Sequence, residues 1–265
     1  MPKNNVEVII VPGSFALPPP YETVVEGFKK NGYNARIVPL LSAGDGTRFP
    51  AATMEDDAAK IRAEVLATLD DKENPRNVIL VPHSYAGFPC SEALMGLHKA
   101  ERSAQGRDTA VIGYMPVASF LAQEGENLRQ VMGYIEGSPA SQPPVPGGYL
   151  LPIPTEFAAM LFNDQEDPAE AQRLLATMGV HSSDSYDGKV TYAAWKDIPT
   201  VYVIPLIDLI VPVELQELMY QKAQEVAPNT VTKIEYEDAG HCFLWAKNGV
   251  ERTIAAASKL IEGNI

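Results

Sequence analysis

Short apolar runs and amphipathic stretches alternate along this chain from one end to the other, which restricts it to a small set of architectures. Val6 to Val11 reads VEVIIV, Val78 to Val81 reads VILV, Thr109 to Tyr114 reads TAVIGY and Thr200 to Ile204 reads TVYVI. Runs of this length suit strands buried on both faces. Ala35 to Leu40 and Val231 to Tyr236 supply two more. Helical patterns fall between them, at Tyr21 to Lys30, Val213 to Val226 and Asn248 to Glu262. Another opens at Thr53, which can cap a helix with Asp56 three residues on. There Ala58, Ile61, Val65, Leu66 and Leu69 recur at helical spacing and face a core. The pattern predicts an α/β fold with a mostly parallel twisted sheet and helices on both faces.

One region breaks the alternation. Between about Ala118 and Ile198 no strand pattern appears. It holds a Pro/Gly-rich loop, SPASQPPVPGG (Ser138 to Gly148), and helical stretches around Glu156 to Phe162 and Pro168 to Met178. An insertion of roughly 80 residues is too long for a plain connection. We expect a mainly helical cap, residues 118–198, over a core of residues 1–117 and 199–265. A cap so placed covers the sheet's carboxyl edge, where ligands bind in such folds. The sequence shows no internal repeat.

Charge and cysteine content remove several functions. The 34 acidic residues outnumber 21 basic ones, for a net charge of -13, and such a surface repels phosphate backbones and anionic lipid. No nucleic-acid or membrane partner is expected. Cys90 and Cys242 are the only cysteines, too few for a disulfide scaffold or a thiolate metal site. There is no H-E-x-x-H motif, and Gly13, Gly32, Gly44 and Gly46 form neither a dinucleotide nor a P-loop fingerprint. The opening MPKNNVEVIIVPGS runs directly into a strand without a signal-peptide pattern, and no apolar run approaches the roughly 20 residues that span a bilayer. A cytoplasmic location is expected.

The stretch VILVPHSYAGFPCSEAL (Val78 to Leu94) reads as a strand, an abrupt turn and a helix, which would lift the Ser84 hydroxyl to the top of the sheet. Acyl transfer by serine also needs a histidine base, a carboxylate to orient it and amide donors for the oxyanion. His241 stands behind a glycine in EDAGHCFLW, after the last strand. Of the other histidines, His98 and His181 read as bland, and His83 as structural support for the turn. Asp208 follows the strand VYVIP among apolar residues, where an unpaired carboxylate is costly and a partner is implied. Glu235, Glu237 and Asp238 read as surface charge. Backbone N–H groups within the turn after the first strand, Pro12-Gly13-Ser14-Phe15, can face an oxyanion together with that of Tyr85; Pro12 itself has none. The competing reading makes Ser84 a helix cap and Gly13 an ordinary turn glycine. The order Ser84, Asp208, His241 is that of the α/β-hydrolase triad.

Nearly the whole chain resembles the cap-bearing α/β-hydrolase family that includes plant methylesterases, hydroxynitrile lyases and their fungal and bacterial relatives. The resemblance rests on VPGSFALPPPYETVVEGFKKNGY, on VPHSYAG, on FNDQEDPAEAQRLL with TYAAWKDIPTVYV, on DLIVPVELQ and on AGHCFLW. It implies Ser84 as nucleophile, His241 as base, Asp208 as acid, and Ser14 and Tyr85 as oxyanion donors with Phe15 as a third. It implies no cofactor. Two positions depart from the family pattern: Pro12 replaces a histidine, and Pro82 replaces the first glycine of the elbow.

The leading expectation is an esterase-type hydrolase for a small apolar ester, thioester or lactone, bound in a pocket lined by Phe15, Tyr85, Phe120, Met160 and Phe162. Each of those five can equally be core packing. A second reading uses the same site for C–C lyase or cyclase chemistry. After Asp208 the next lysine is Lys222, which disfavours a hydroxynitrile lyase. A third reading is a silent ligand-binding homologue, motivated by Pro82 and Ala86 standing where a G-x-S-x-G turn has glycine, and opposed by the complete triad. A small-molecule substrate is the expected partner, with a homodimer left open.

Overall fold

The computed structural model describes residues 5–246 and 248–262. The amino-terminal half runs β1 (Val6–Val11), α1 (Glu22–Lys30), β2 (Asn34–Ile37), β3 (Ala43–Gly44), α2 (Met54–Leu69), β4 (Asn77–Pro82), α3 (Gly87–Ala93), α4 (Lys99–Ala104) and β5 (Val111–Tyr114). Short helices follow: α5 (Leu128–Met132), α6 (Ala158–Leu161) and α7 (Pro168–Leu175). The chain then forms β6 (Val180–His181), β7 (Thr200–Pro205), α8 (Val213–Val226), β8 (Val231–Tyr236) and α9 (Gly249–Glu262).

Six strands form one parallel sheet in the order β2-β1-β4-β5-β7-β8. β1, β4 and β7 are buried along their whole length, which is why they read as unbroken apolar runs. Glu7 is the exception within β1, and Arg36 and Arg76 hold its carboxylate at 2.7 and 2.6 Å. Val24, Phe28, Ala256 and Leu260 of α1 and α9 cover one face of the sheet. Ile61, Val65, Phe88 and Met219 of α2, α3 and α8 cover the other. The sheet thus lies between two helical layers. The capping box of α2 forms as expected, with the Asp56 N–H on Thr53 Oγ1 at 3.2 Å and the Thr53 N–H on Asp56 Oδ2 at 3.1 Å.

The structure moves several expected boundaries. β2 ends at Ile37, two residues before Pro39, whose ring removes a ladder donor. The helix after the elbow stops at Ala93, and Gly96 then turns the chain with φ of +76°. Within residues 118–198 the structure contains a strand where none was expected. β6 pairs antiparallel with β3 through Ala43–His181 and Gly44–Val180. Two residues are too few to carry a period. The stretch expected to be helical over 156–162 is a 3-10 turn at Thr155–Phe157 followed by the single turn of α6.

The strand order reverses between β1 and β4, where Val11 lies opposite Pro82. The carboxyl ends of two strands that feed opposite directions open a crevice there. The turn after β1 and the turn after β4 form its walls.

Candidate active site

β4 runs through Pro82 and stops there. The Pro82 carbonyl accepts the Val117 N–H at 2.9 Å, and the His83 N–H reaches the Val11 carbonyl at 3.0 Å. Ser84 follows with φ of 55°, a left-handed conformation that costs a non-glycine residue about 1–3 kcal/mol. Surrounding contacts hold it there: the Ser84 N–H donates to Val117 O at 3.2 Å, and Ser119 Oγ donates to Ser84 O at 2.5 Å. Pro82 therefore ends the strand just before a strained Ser84. Close packing explains which neighbours must be glycine. A β-carbon on Gly13 would stand 2.9 Å from Ser84 Cβ, and one on Gly87 would stand 2.7 Å from the Phe120 carbonyl oxygen. Position 86 carries an alanine, and Gly87 makes the close approach.

The three residues singled out from the sequence come together. Ser84 Oγ lies 3.0 Å from His241 Nε2, and His241 Nδ1 lies 2.9 Å from Asp208 Oδ2 and 3.1 Å from Oδ1. A carboxylate only accepts, so Nδ1 carries the proton and Nε2 is left to accept from the serine hydroxyl. Asp208 is buried, and its charge is compensated. Its Oδ1 accepts the N–H groups of Ile210 and Val211 at 2.8 and 2.9 Å, and its Oδ2 accepts Gln216 Nε2 at 3.1 Å. This chain of bonds can draw the proton from Ser84 and return it to a leaving group.

His83 is part of the support. Its Nε2 donates to the His241 carbonyl at 2.9 Å, which leaves Nδ1 to accept the Tyr21 hydroxyl at 2.7 Å. The Tyr21 oxygen in turn accepts the Gly13 N–H at 3.2 Å. Burial, and then the neighbouring His241, lower the His83 imidazole to about 3, so it stays neutral. Tyr21 had no signal in the sequence beyond its place in a predicted helix.

Three expectations for individual residues are corrected. The Phe15 N–H, expected as a third oxyanion donor, instead points at His181 Nδ1 at 3.3 Å. His181, read as bland, is fully buried and clamps the turn, while the Gly179 N–H holds the Phe15 carbonyl at 2.7 Å. Phe162, expected in the pocket, packs away from it against Trp245 with ring centroids 5.4 Å apart. The one-turn helix α6 sends Met160 and Leu161 toward the cavity and leaves Phe162 in the core.

A cleft of about 130 Å³ opens at Ser84 and His241. Ser14, Phe15, Tyr85, Phe120 and Met160 are among the residues that line it. Much of its wall comes from residues the sequence did not single out, including Leu128, Met132, Ile135, Ile153 and Phe157. Tyr186 also faces it and donates its hydroxyl to Ser14 Oγ at 2.7 Å. Among the described residues no group of His, Cys, Asp and Glu is arranged to hold a metal ion. Among them, too, no helix is long and apolar enough to cross a membrane.

Comparison with known proteins follows the same line. The profile of the alpha/beta hydrolase family matches residues 8–255. The chain belongs to that family. As a member it is a hydrolase, and it is similar along most of its length to "Probable hydrolase R7" of Phoma sp., with 28% identity over 239 residues that cover 90% of this chain and 92% of that protein. Solved alpha/beta hydrolases share the fold at low identity. An extracellular alpha/beta-hydrolase from a Paenibacillus species superposes with a TM-score of 0.70 at 14% identity, covering 95% of this chain and 98% of its own. The methylesterase MES16 from Arabidopsis superposes with a TM-score of 0.67 at 18% identity, covering 96% and 99%.

Proposed function

We propose that this hydrolase is a serine esterase that cleaves a small apolar carboxylic ester, thioester or lactone. The observation that carries this reading is the unbroken contact from Ser84 Oγ through the His241 ring to the Asp208 carboxylate, at 3.0 and 2.9 Å. His241 Nε2 takes the hydroxyl proton as Ser84 Oγ bonds to the substrate carbonyl carbon. The negative charge that develops on the carbonyl oxygen is met by the N–H groups of Tyr85 and Ser14. One such donor contributes about 10²–10³ in rate. The intermediate collapses as His241 gives its proton to the departing oxygen or sulfur. Water, deprotonated by the same imidazole, then releases the acid and restores Ser84.

The wall of the cleft supports an apolar acyl or alkyl group. Its side chains are mostly aliphatic or aromatic, and Glu136 is the one carboxylate among those that line it, with no lysine or arginine. The region 118–198 supplies most of that wall, which favours reading it as a cap that selects the substrate. The fold likeness to a methylesterase is in keeping with ester chemistry. A silent homologue is disfavoured by the elbow itself, since Ser84 keeps its left-handed backbone despite Pro82 and Ala86.

The test is turnover of p-nitrophenyl esters of increasing chain length, and of simple lactones, by the wild type and by Ser84→Ala. The expected result is hydrolysis by the wild type and a loss of about 10³-fold or more in the variant. Equal rates for the two proteins would refute the proposal.

A further inference from the structure

The loops that carry Asp208 and His241 are bridged by a turn from outside the sheet. Between α6 and α7, Asn163 Nδ2 donates to the carbonyl of Ile207 at 2.7 Å. The next residue, Asp164, accepts the Gly240 N–H on Oδ2 at 3.0 Å. Ile207 immediately precedes Asp208, and Gly240 immediately precedes His241. The two loops also touch directly, through the Ile207 N–H on the Ala239 carbonyl at 3.1 Å. Two adjacent side chains thus close a ring across the residues that lead into the acid and the base.

The fit at this point is tight. A β-carbon on Gly240 would overlap the Asn163 amide oxygen and stand 3.3 Å from Asp164 Cγ, so the glycine before His241 seats this turn. Phe162 anchors the turn from below, in an apolar cluster with Trp245, Cys242 and Ile210. Cys242 and Ile210 follow the base and the acid by one and two residues, so the same loops are gripped on both sides. Met160 and Leu161, just upstream, line the cleft. Cleft wall and bridge are therefore consecutive in one short segment.

We propose that Asn163 and Asp164 are positioning residues, a latch that holds the Asp208 and His241 loops at the spacing where Nδ1 meets the carboxylate. Neither touches the reacting atoms. They act by limiting how far the two loops drift apart, and misplacement of a catalytic group by about 1 Å costs on the order of 100-fold.

The test uses Asp164→Leu, which removes the acceptor; Asp164→Asn, which keeps one; and Asn163→Leu, which removes the donor. Two readouts apply. The imidazole N–H shared with a carboxylate gives a far-downfield proton NMR signal, which reports the Asp208–His241 contact without substrate. The kinetic readout is kcat against KM, and it rests on ester hydrolysis at Ser84. The expected result is loss of the downfield signal in both Leu variants, with kcat down roughly tenfold or more and KM within about twofold. Asp164→Asn keeps the signal and the rate. The latch is refuted if the Leu variants keep the wild-type signal and kcat, or if Asp164→Asn is as impaired as Asp164→Leu. Asn163→Leu decides if Asp164→Leu does not fold. If no ester is turned over, the signal alone decides, so failure of the esterase reading is separable from failure of the latch.

Discussion

Tyr21 donates its hydroxyl to His83 Nδ1 at 2.7 Å, and this bond joins the turn after β1 to the elbow after β4. The same oxygen accepts the Gly13 N–H, and His83 continues to the carbonyl of His241. Tyr21→Phe keeps the ring packed on Trp245, at 5.2 Å between centroids, and removes both polar links. Two buried groups are left unpaired, each at a cost of about 1–3 kcal/mol. We expect a lower midpoint in urea unfolding and a fall in kcat that exceeds any change in KM. A variant with wild-type stability and kcat would contradict this role.

Asp57 makes stability depend on pH. It is fully buried, accepts the Leu41 and Ser42 N–H groups at 2.6 and 3.0 Å, and meets the Tyr85 hydroxyl at 3.3 Å. Burial raises its carboxyl to about 6. The folded protein therefore holds this proton at a pH where the unfolded chain has released it. The contribution is most favourable below the ordinary carboxylate range and declines as pH rises through 6, by about 3 kcal/mol in all. Asp57→Asn cannot ionise. Urea unfolding at pH 4 and pH 7 is expected to show the variant gaining on the wild type at the higher pH. A difference that stays constant with pH would contradict the assignment.

At the elbow Gly87 is the position with no room for a side chain. A β-carbon there would meet Ser119 Oγ at 2.6 Å and the Phe120 carbonyl at 2.7 Å, and Ser119 is the residue that holds Ser84 O. Gly87→Ala should cost about 1–3 kcal/mol and reduce activity. Ala86→Gly should leave activity near the wild-type level. Thermal melts and ester turnover on both variants check this pair.

Met160 and Phe162 are two residues apart and separate two effects. Phe162 is a core side chain at 1% exposure, so Phe162→Ala should cost about 3–5 kcal/mol. Met160 is 38% exposed and lines the cleft, so Met160→Ala should leave stability within about 1 kcal/mol and raise KM for apolar esters. The reverse pattern would mean that the cleft lies elsewhere.

Much of this architecture is legible in the sequence because strands buried on both faces, such as β1 and β7, show as apolar runs. Ser84, Asp208 and His241 are legible because each follows a predicted strand, where parallel sheets gather their loops. Other features depend on contacts distant in sequence. Phe15 and His181 are 166 residues apart, and Tyr21 and His83 are 62 apart, so no local pattern reveals either pair. Asn163 and Asp164 read as ordinary loop residues, because the groups they bind are main-chain atoms of two other loops. Phe162 is misread because a one-turn helix has too few residues to declare which face is buried. β6 is missed because alternation needs more than two positions.

The proposed hydrolysis rests on Ser84 being an activated nucleophile. Its most direct test is reaction of the folded protein with a fluorophosphonate, followed by peptide mapping by mass spectrometry. A single adduct on Ser84 is expected in the wild type, formed far more slowly in His241→Gln and not at all on the unfolded chain. An unlabelled Ser84 in the folded protein, or an adduct on another residue, would contradict it.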